Sequence, residues 1–211
     1  MNAWLTRNRL GLLLLPIAIL LAIVGSSSRI DNYFWTVGMH QAEHSDSKGV
    51  VDFRDTYDDG YLAYPINARI SLVSVKKIDS IPSSYDGSPR PVTKPFGSEL
   101  WRVRLHFEAD PSVVMTGCHV AIMDRDGNRF ESNSSDYETD GSSPIYQCAP
   151  DDTPGPQAHV GSTEKPSLGP GEKPRPRTYE TDTYVITTDT AKPKSVRVWF
   201  YLPKYAELPI D

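Results

Sequence analysis

The residues best suited to metal chemistry lie in VDFRDTYDDGY, where Asp52, Asp55, Asp58 and Asp59 crowd into one short stretch. Carboxylate oxygens are hard ligands, so this group is the calcium candidate of the chain. Asp58-Asp59-Gly60 equally carries the chemistry of a turn between two strands, with the remaining acids solvated. Asp124-Arg125-Asp126-Gly127-Asn128 shares letters with a calcium loop, but its glycine stands fourth where such a loop needs it sixth. A hairpin turn accounts for that segment. His40 and His44, four apart with Glu43 between them, would share a helical face as two zinc ligands must, yet the polar segment offers no third ligand. His106, His119 and His159 are isolated, and surface roles explain them. The chain has no Gly-x-Ser-x-Gly elbow, no His-Glu-x-x-His, no phosphate loop and no dinucleotide fingerprint. The expectation is a non-catalytic protein with no cofactor and no resident metal.

Contact chemistry is better represented. Val196, Val198, Phe200 and Leu202 alternate with Arg197, Trp199 and Tyr201. If the first row faces a core, Trp199 and Tyr201 face outward and form a contact surface, unless a second layer covers them. Tyr205 lies in the tail LPKYAELPID, whose two Leu-Pro steps oppose a sheet ladder and favour an extended run across the surface or toward a partner. Trp199, Tyr201 and Tyr205 are therefore the candidate partner-contact residues.

These residues must be positioned by elements outside a membrane. Residues 10–24 read LGLLLLPIAILLAIV, preceded by Arg7 and Arg9 and without an acid or base. Counted over 10–30 the segment is 21 residues, or about 31 Å of helix, which matches a bilayer core. It reads as an uncleaved anchor; the competing reading is a signal peptide cut after Ser26 or Ser28. Positive-inside logic puts residues 1–9 in the cytoplasm and the rest of the chain outside, as a single-pass protein of the cell membrane. Tyr33, Phe34 and Trp35 follow at the outer interface. The spacing of Ile30, Phe34 and Val37 lets the helix run on past the bilayer. In an oxidising compartment the only two cysteines, Cys118 and Cys148, are expected to form a disulfide.

Residues 31–48 read as a juxtamembrane linker, and residues 49–211 as one extracytoplasmic domain. Period-two alternation is clearest at Trp101, Val103, Leu105 and Phe107, again at Val196 to Leu202, and at Cys118, Val120 and Ile122. Further strands are expected near 50–56, 61–78, 128–132, 144–148 and 180–187. Seven or eight short strands divided by turns predict a mainly β chain, an antiparallel immunoglobulin-like β-sandwich behind one transmembrane helix. Two inserts interrupt it: the turn-rich 79–98, and a Pro/Gly-rich loop at 149–178 that offers few apolar anchors and reads as mobile filler. With 22 basic against 27 acidic residues and no basic face, a nucleic-acid partner is not expected.

Three stretches, WLTRNRLGLLLLPIAILLA, ELWRVRLHFEADPSVVMTGCHVAIMDRDGNRF and SVRVWFYLPKYAELPI, resemble a family of small actinobacterial single-pass membrane proteins with an extracytoplasmic immunoglobulin-like domain. The resemblance covers the anchor and the core strands, not the inserts. Such proteins are often encoded beside ABC transporter subunits, so it implies an accessory role for an exporter, with a transporter permease as the partner. It supplies no catalytic residues. The chain departs from similar bacterial lipoproteins in lacking a lipid-bearing cysteine. The functional expectation is a membrane-anchored interaction module; the alternative is an exported calcium- or small-ligand-binding domain.

Overall fold

A computed structural model describes residues 2–58, 60–83, 85–158 and 161–210. Helix α1 (Asn2–Gly25) contains an apolar stretch, Arg7–Gly25, that is long enough and apolar enough to cross a membrane and, among the described residues, is not buried. The backbone stays helical through α2 (Ser27–Ile30) and a π-helical turn, Asp31–Trp35, as the apolar spacing predicted. Twelve strands follow: β1 (Gln41–His44), β2 (Val50–Asp58), β3 (Ala63–Ile78), β4 (Ser80–Pro82), β5 (Pro89–Thr93), β6 (Ser98–Glu108), β7 (His119–Asp124), β8 (Arg129–Glu131), β9 (Glu138–Thr139), β10 (Thr178–Thr188), β11 (Pro193–Trp199) and β12 (Lys204–Pro209).

The protein is mainly β. One sheet has the order β10-β6-β3-β2 and is antiparallel throughout; the other has the order β1-β12-β11-β7-β8. Their inward rows meet in one core, with Val51, Phe53, Ile66, Ile70, Val103, Leu105 and Phe107 from the first sheet and Val120, Ile122, Val196, Val198 and Leu208 from the second. Phe53 and Phe200 touch across the gap with ring centroids 5.8 Å apart. Each such side chain, fully buried, contributes roughly 1.5–3 kcal/mol. The immunoglobulin arrangement sends its third strand to the second sheet. Here β6 stays beside β3 and the crossing to the second sheet comes at β7, so the two packed sheets make a β-sandwich.

A bulge explains why the sequence of β3 alternates poorly. Leu72 pairs with Leu105 and Ser74 with Arg104, which leaves Val73 as the extra residue. The inward row passes from the even positions Ile66, Ala68 and Ile70 to the odd position Val75, as a one-residue slip requires.

The insert at 79–98 is more than turns. With β9 it builds a small sheet, β4-β5-β9, over the outer face of β6 and β10. There Ile81, Leu100, Tyr137 and Tyr184 form a second buried cluster. The strand expected at 144–148 does not form. Gln147 and Cys148 use side-chain bonds in place of a ladder: the Gln147 carbonyl accepts from Thr181 Oγ1 at 2.9 Å and Thr183 Oγ1 at 3.2 Å. Its side-chain Oε1 accepts from Val120 N at 2.7 Å.

Cys118 and Cys148 are joined in a disulfide across 30 residues. A loop of that length stabilises a fold by about 3.6 kcal/mol in the chain-entropy picture. The Pro/Gly-rich loop starts beside this bond and is held at both margins. Pro154, Gly155 and Pro156 are buried, and Arg175 is fully buried at the other end. Arg175 Nη2 donates to the carbonyls of Asp110 at 2.7 Å and Val113 at 3.1 Å, and its guanidinium lies 4.9 Å from the Tyr179 ring. Tyr179 in turn donates to the Cys148 carbonyl at 2.8 Å. Gly155, at φ +82°, leaves room for the Arg175 stem, which a Cβ would meet at 3.1 Å. Where the sequence offered few apolar anchors, the margins are held by the buried Pro154 and Pro156 and by a buried arginine.

Candidate functional site

Chain direction defines two ends of the sandwich. The chain arrives from the helix at Met39 and His40, and β1 runs parallel to β12, so both begin at that end. Trp199 and His119 face each other there through the β11–β7 pairing, and the turn between β2 and β3 lies at the same end, because Lys204 Nζ reaches the Arg54 carbonyl at 2.8 Å. This is the helix-side end. The insert at 79–98, joining the other ends of β3 and β6, marks the far end.

The structure corrects two of the three contact residues. Trp199 lies, as the alternation predicted, on the face of its sheet away from the core, yet it is only 5% exposed, and Tyr205 only 7%. The covering layer is the segment read as a linker. Met39 and Ala42 pack with Leu202 over Trp199, Tyr205 and Ala121. Residues Gln41–His44 form β1, paired in parallel with Lys204 to Glu207. Trp199 is further enclosed by the stacked His119 ring at 5.2 Å and the Arg129 guanidinium at 5.9 Å. Arg197 caps Tyr205 at 4.5 Å while its Nε and Nη2 donate to Glu207. The tail also departs from expectation by forming the strand β12. Its prolines do not interrupt the ladder, since Pro203 precedes the strand and Pro209 ends it.

Tyr201 remains exposed. Its ring meets Tyr57 edge-on at 5.9 Å, and Tyr57 stacks on Tyr64 at 4.9 Å. A crevice of about 120 Å³ runs past Tyr57, Tyr64, Phe200 and Gly117, and a wider one of about 360 Å³ lies beyond Tyr64, between Leu62, Val113 and Pro166. Both open at the helix-side end. What they offer a ligand is aromatic and apolar surface with a few hydroxyls and, in the wider one, Lys165.

The aspartates do not converge. On β2, Asp52 and Asp58 point outward but stand six residues apart, about 20 Å along an extended strand. Asp52 is engaged by Arg54 at 2.8 Å, and Asp58 accepts from Gly60 N at 2.8 Å, the turn role. Asp59 lies outside the described residues, as does His159. Asp55 occupies the inward row between Phe53 and Tyr57; burial pushes its carboxyl above the usual aspartate range. Its Oδ1 accepts from Thr56 N, while Oδ2 is buried without a hydrogen-bond partner. Lys204 and Glu43 are the charges facing it.

The other histidine and turn motifs resolve plainly. His40 stacks on Trp35, and His44 Nδ1 lies 3.6 Å from Glu207, so the two do not share a site. Among the described residues no group of three or more His, Cys, Asp or Glu side chains is placed to hold a metal. Asp124 is the turn residue expected at the β7–β8 hairpin. It accepts from Asn128 Nδ2, Asn128 N and Asp126 N within 2.9 Å, bonds that hold its carboxyl below the usual range.

Sequence reasoning missed the aromatic residues of the insert. Phe96 and Tyr85 are fully exposed at the tips of two loops of the insert, Phe96 directly before Gly97 and Tyr85 in Tyr85-Asp86-Gly87. An aromatic beside a turn glycine was the available signal; a loop tip offers no packing partner for such a side chain. No protein-family model, curated protein or solved structure matches the chain.

Proposed function

We propose that the chain is a membrane-anchored, extracytoplasmic and non-catalytic interaction module, and that its far end binds a membrane-protein partner. The observation that carries this reading is the pairing of β1 with β12. It ties the sandwich directly to the apolar helix and leaves Phe96, beside the start of β6, displayed at the opposite end, with Tyr85 displayed on the same insert. The disulfide fits an oxidising compartment, hence the side of the membrane away from the cytoplasm. Exposed aromatic residues on a rigid support are the common anchors of protein contacts. The small sheet β4-β5-β9 and its buried cluster supply that support. The partner proposed from the sequence resemblance is the permease of an ABC exporter, with this chain as its accessory.

The test is affinity purification of the tagged full-length protein from detergent-solubilised native membranes, beside a Tyr85→Ser/Phe96→Ser double variant. Both substitutions fall on exposed tips, so the fold should persist, and the thermal midpoint checks this. Enrichment of an ABC permease with the wild type and its loss with the double variant is the expected result. If no membrane protein is enriched over a form carrying only the helix, the interaction reading fails. Equal recovery of the permease with the double variant would move the contact elsewhere and exclude the far end.

A further inference from the structure

We infer that the helix-side end of the sandwich is itself a membrane-contacting surface, with Tyr61 and Tyr201 seated among the lipid headgroups of the leaflet from which the helix emerges. The inference rests on the membrane-anchored reading and adds to it a second point of attachment.

The argument is a chain of contacts that starts at the helix. The apolar stretch ends at Gly25, and the backbone continues as helix through Ile30 and the π-helical turn to Trp35, which stands within about 15 Å of the hydrocarbon edge. Tyr33, Phe34 and Trp35 are exposed there, as an interfacial aromatic belt is. His40 is fixed at the same height. Its ring lies 4.7 Å from Trp35 and 4.9 Å from Phe34, and its Nε2 donates to the Phe34 carbonyl at 3.1 Å. His40 N and Gln41 N both donate to the Pro203 carbonyl at 3.1 Å, which brings the turn after β11 to that level. Tyr201 is in this turn, 45% exposed, and its contact with Tyr57 leads to the β2–β3 turn, where Tyr61 is 65% exposed.

Tyrosine suits this place because its ring is apolar and its hydroxyl prefers water, the combination that enriches it at membrane interfaces. Charge does not drive the contact. Beyond Arg9 the chain carries 20 basic and 27 acidic residues, so bulk attraction to anionic lipid is absent. The surface is continuous with the helix's own aromatic belt, which selects lipid over a protein partner as its occupant.

The test uses the full-length protein in vesicles of neutral phosphatidylcholine. Single cysteines replace Tyr61, Tyr85 or Leu13 and carry a fluorescent label, the native cysteines being held in their disulfide. Vesicles contain lipid with a nitroxide either at the headgroup or deep in the acyl chain. The expected result is deep-nitroxide quenching at Leu13→Cys, and headgroup-nitroxide quenching at Tyr61→Cys roughly twofold or more above that at Tyr85→Cys. Deep quenching at Leu13→Cys with equal headgroup quenching at the other two positions overturns this inference and leaves the anchor standing. Absence of deep quenching at Leu13→Cys overturns the membrane-anchored reading and this inference with it. A Tyr201→Cys label, expected to follow Tyr61→Cys, guards against a local effect at one position.

Discussion

Asp55 occupies a place in β2 where the neighbouring inward residues, Phe53 and Tyr57, are aromatic. Its raised carboxyl means that the folded state binds a proton more tightly there than the unfolded chain does. The cost of ionising it is therefore absent below the ordinary aspartate range, grows as pH rises toward the folded value, and is full above it. Asp55→Asn should raise the thermal midpoint at neutral pH, with the gain vanishing near pH 3; a neutral or negative shift at pH 7 would contradict the burial argument. Asp124 behaves oppositely. Its depressed carboxyl contributes stability that is full above the unfolded value and lost as pH falls through the folded one, so Asp124→Asn should destabilise at pH 7 and lose its effect in strong acid. At Trp199, truncation to Ala removes a ring enclosed by Met39, Ala42, Leu202 and His119 and should cost about 3–5 kcal/mol in denaturant unfolding. An exposed contact residue would cost almost nothing. The alternation around Trp199 gave its face correctly. Its burial was hidden because the covering residues lie some 160 positions earlier in the chain, and periodicity reports only what a strand presents.

At the scale of elements, strands with an unbroken two-residue period were readable: β6, β7 and β11 appear where Val103, Leu105, Phe107, Val120, Ile122, Val196 and Val198 placed them. Others were obscured by identifiable causes. The bulge at Val73 reverses the inward row within β3. β1 has four residues and no apolar alternation of its own, and takes its conformation from β12. The loop at 149–178 shows few apolar anchors in its sequence, whereas Arg175 holds it through backbone carbonyls that no sequence pattern advertises. Hydrogen bonds to a charged donor contribute roughly 1.5–3 kcal/mol, and Arg175→Ala also leaves the Asp110 and Val113 carbonyls short of a partner. Limited digestion with a glutamate-specific protease should then cut after Glu164 and Glu172 about tenfold faster than in the wild type, with the strands still protected. An unchanged rate would show that Pro154 to Pro156 suffice to hold the loop.

For the whole molecule, the helix and sandwich are joined by a strand and by the ring stack of His40 on Trp35, not by a flexible tether. A form lacking residues 1–37 keeps Met39 and β1, whereas a form lacking residues 1–45 loses both and uncovers Trp199 and Tyr205. The second should melt about 6–12 °C below the first, the equivalent of roughly 3 kcal/mol of lost burial. Equal midpoints would mean that β1 is an ornament on the sheet. The sequence alone carried the class of fold, the apolar helix and the disulfide pair; it did not carry the position of the exposed aromatic residues, because that depends on which loops the third layer lifts clear of the sheets.

The parallel pairing of Gln41 with Lys204 and the antiparallel pairing of β11 with β12 make β12 the wedge between the earliest strand and one of the last. Synthesis delivers β1 long before β12, so the helix and the first sheet can form while the second sheet is still open. Closing a contact across about 160 residues is slow, and during that interval Trp199 and the apolar row of β11 stand uncovered. Lys204–Pro209 thus acts as a latch: a chain without it would leave both neighbours of β12 unpaired and Trp199 uncovered, open to proteolysis.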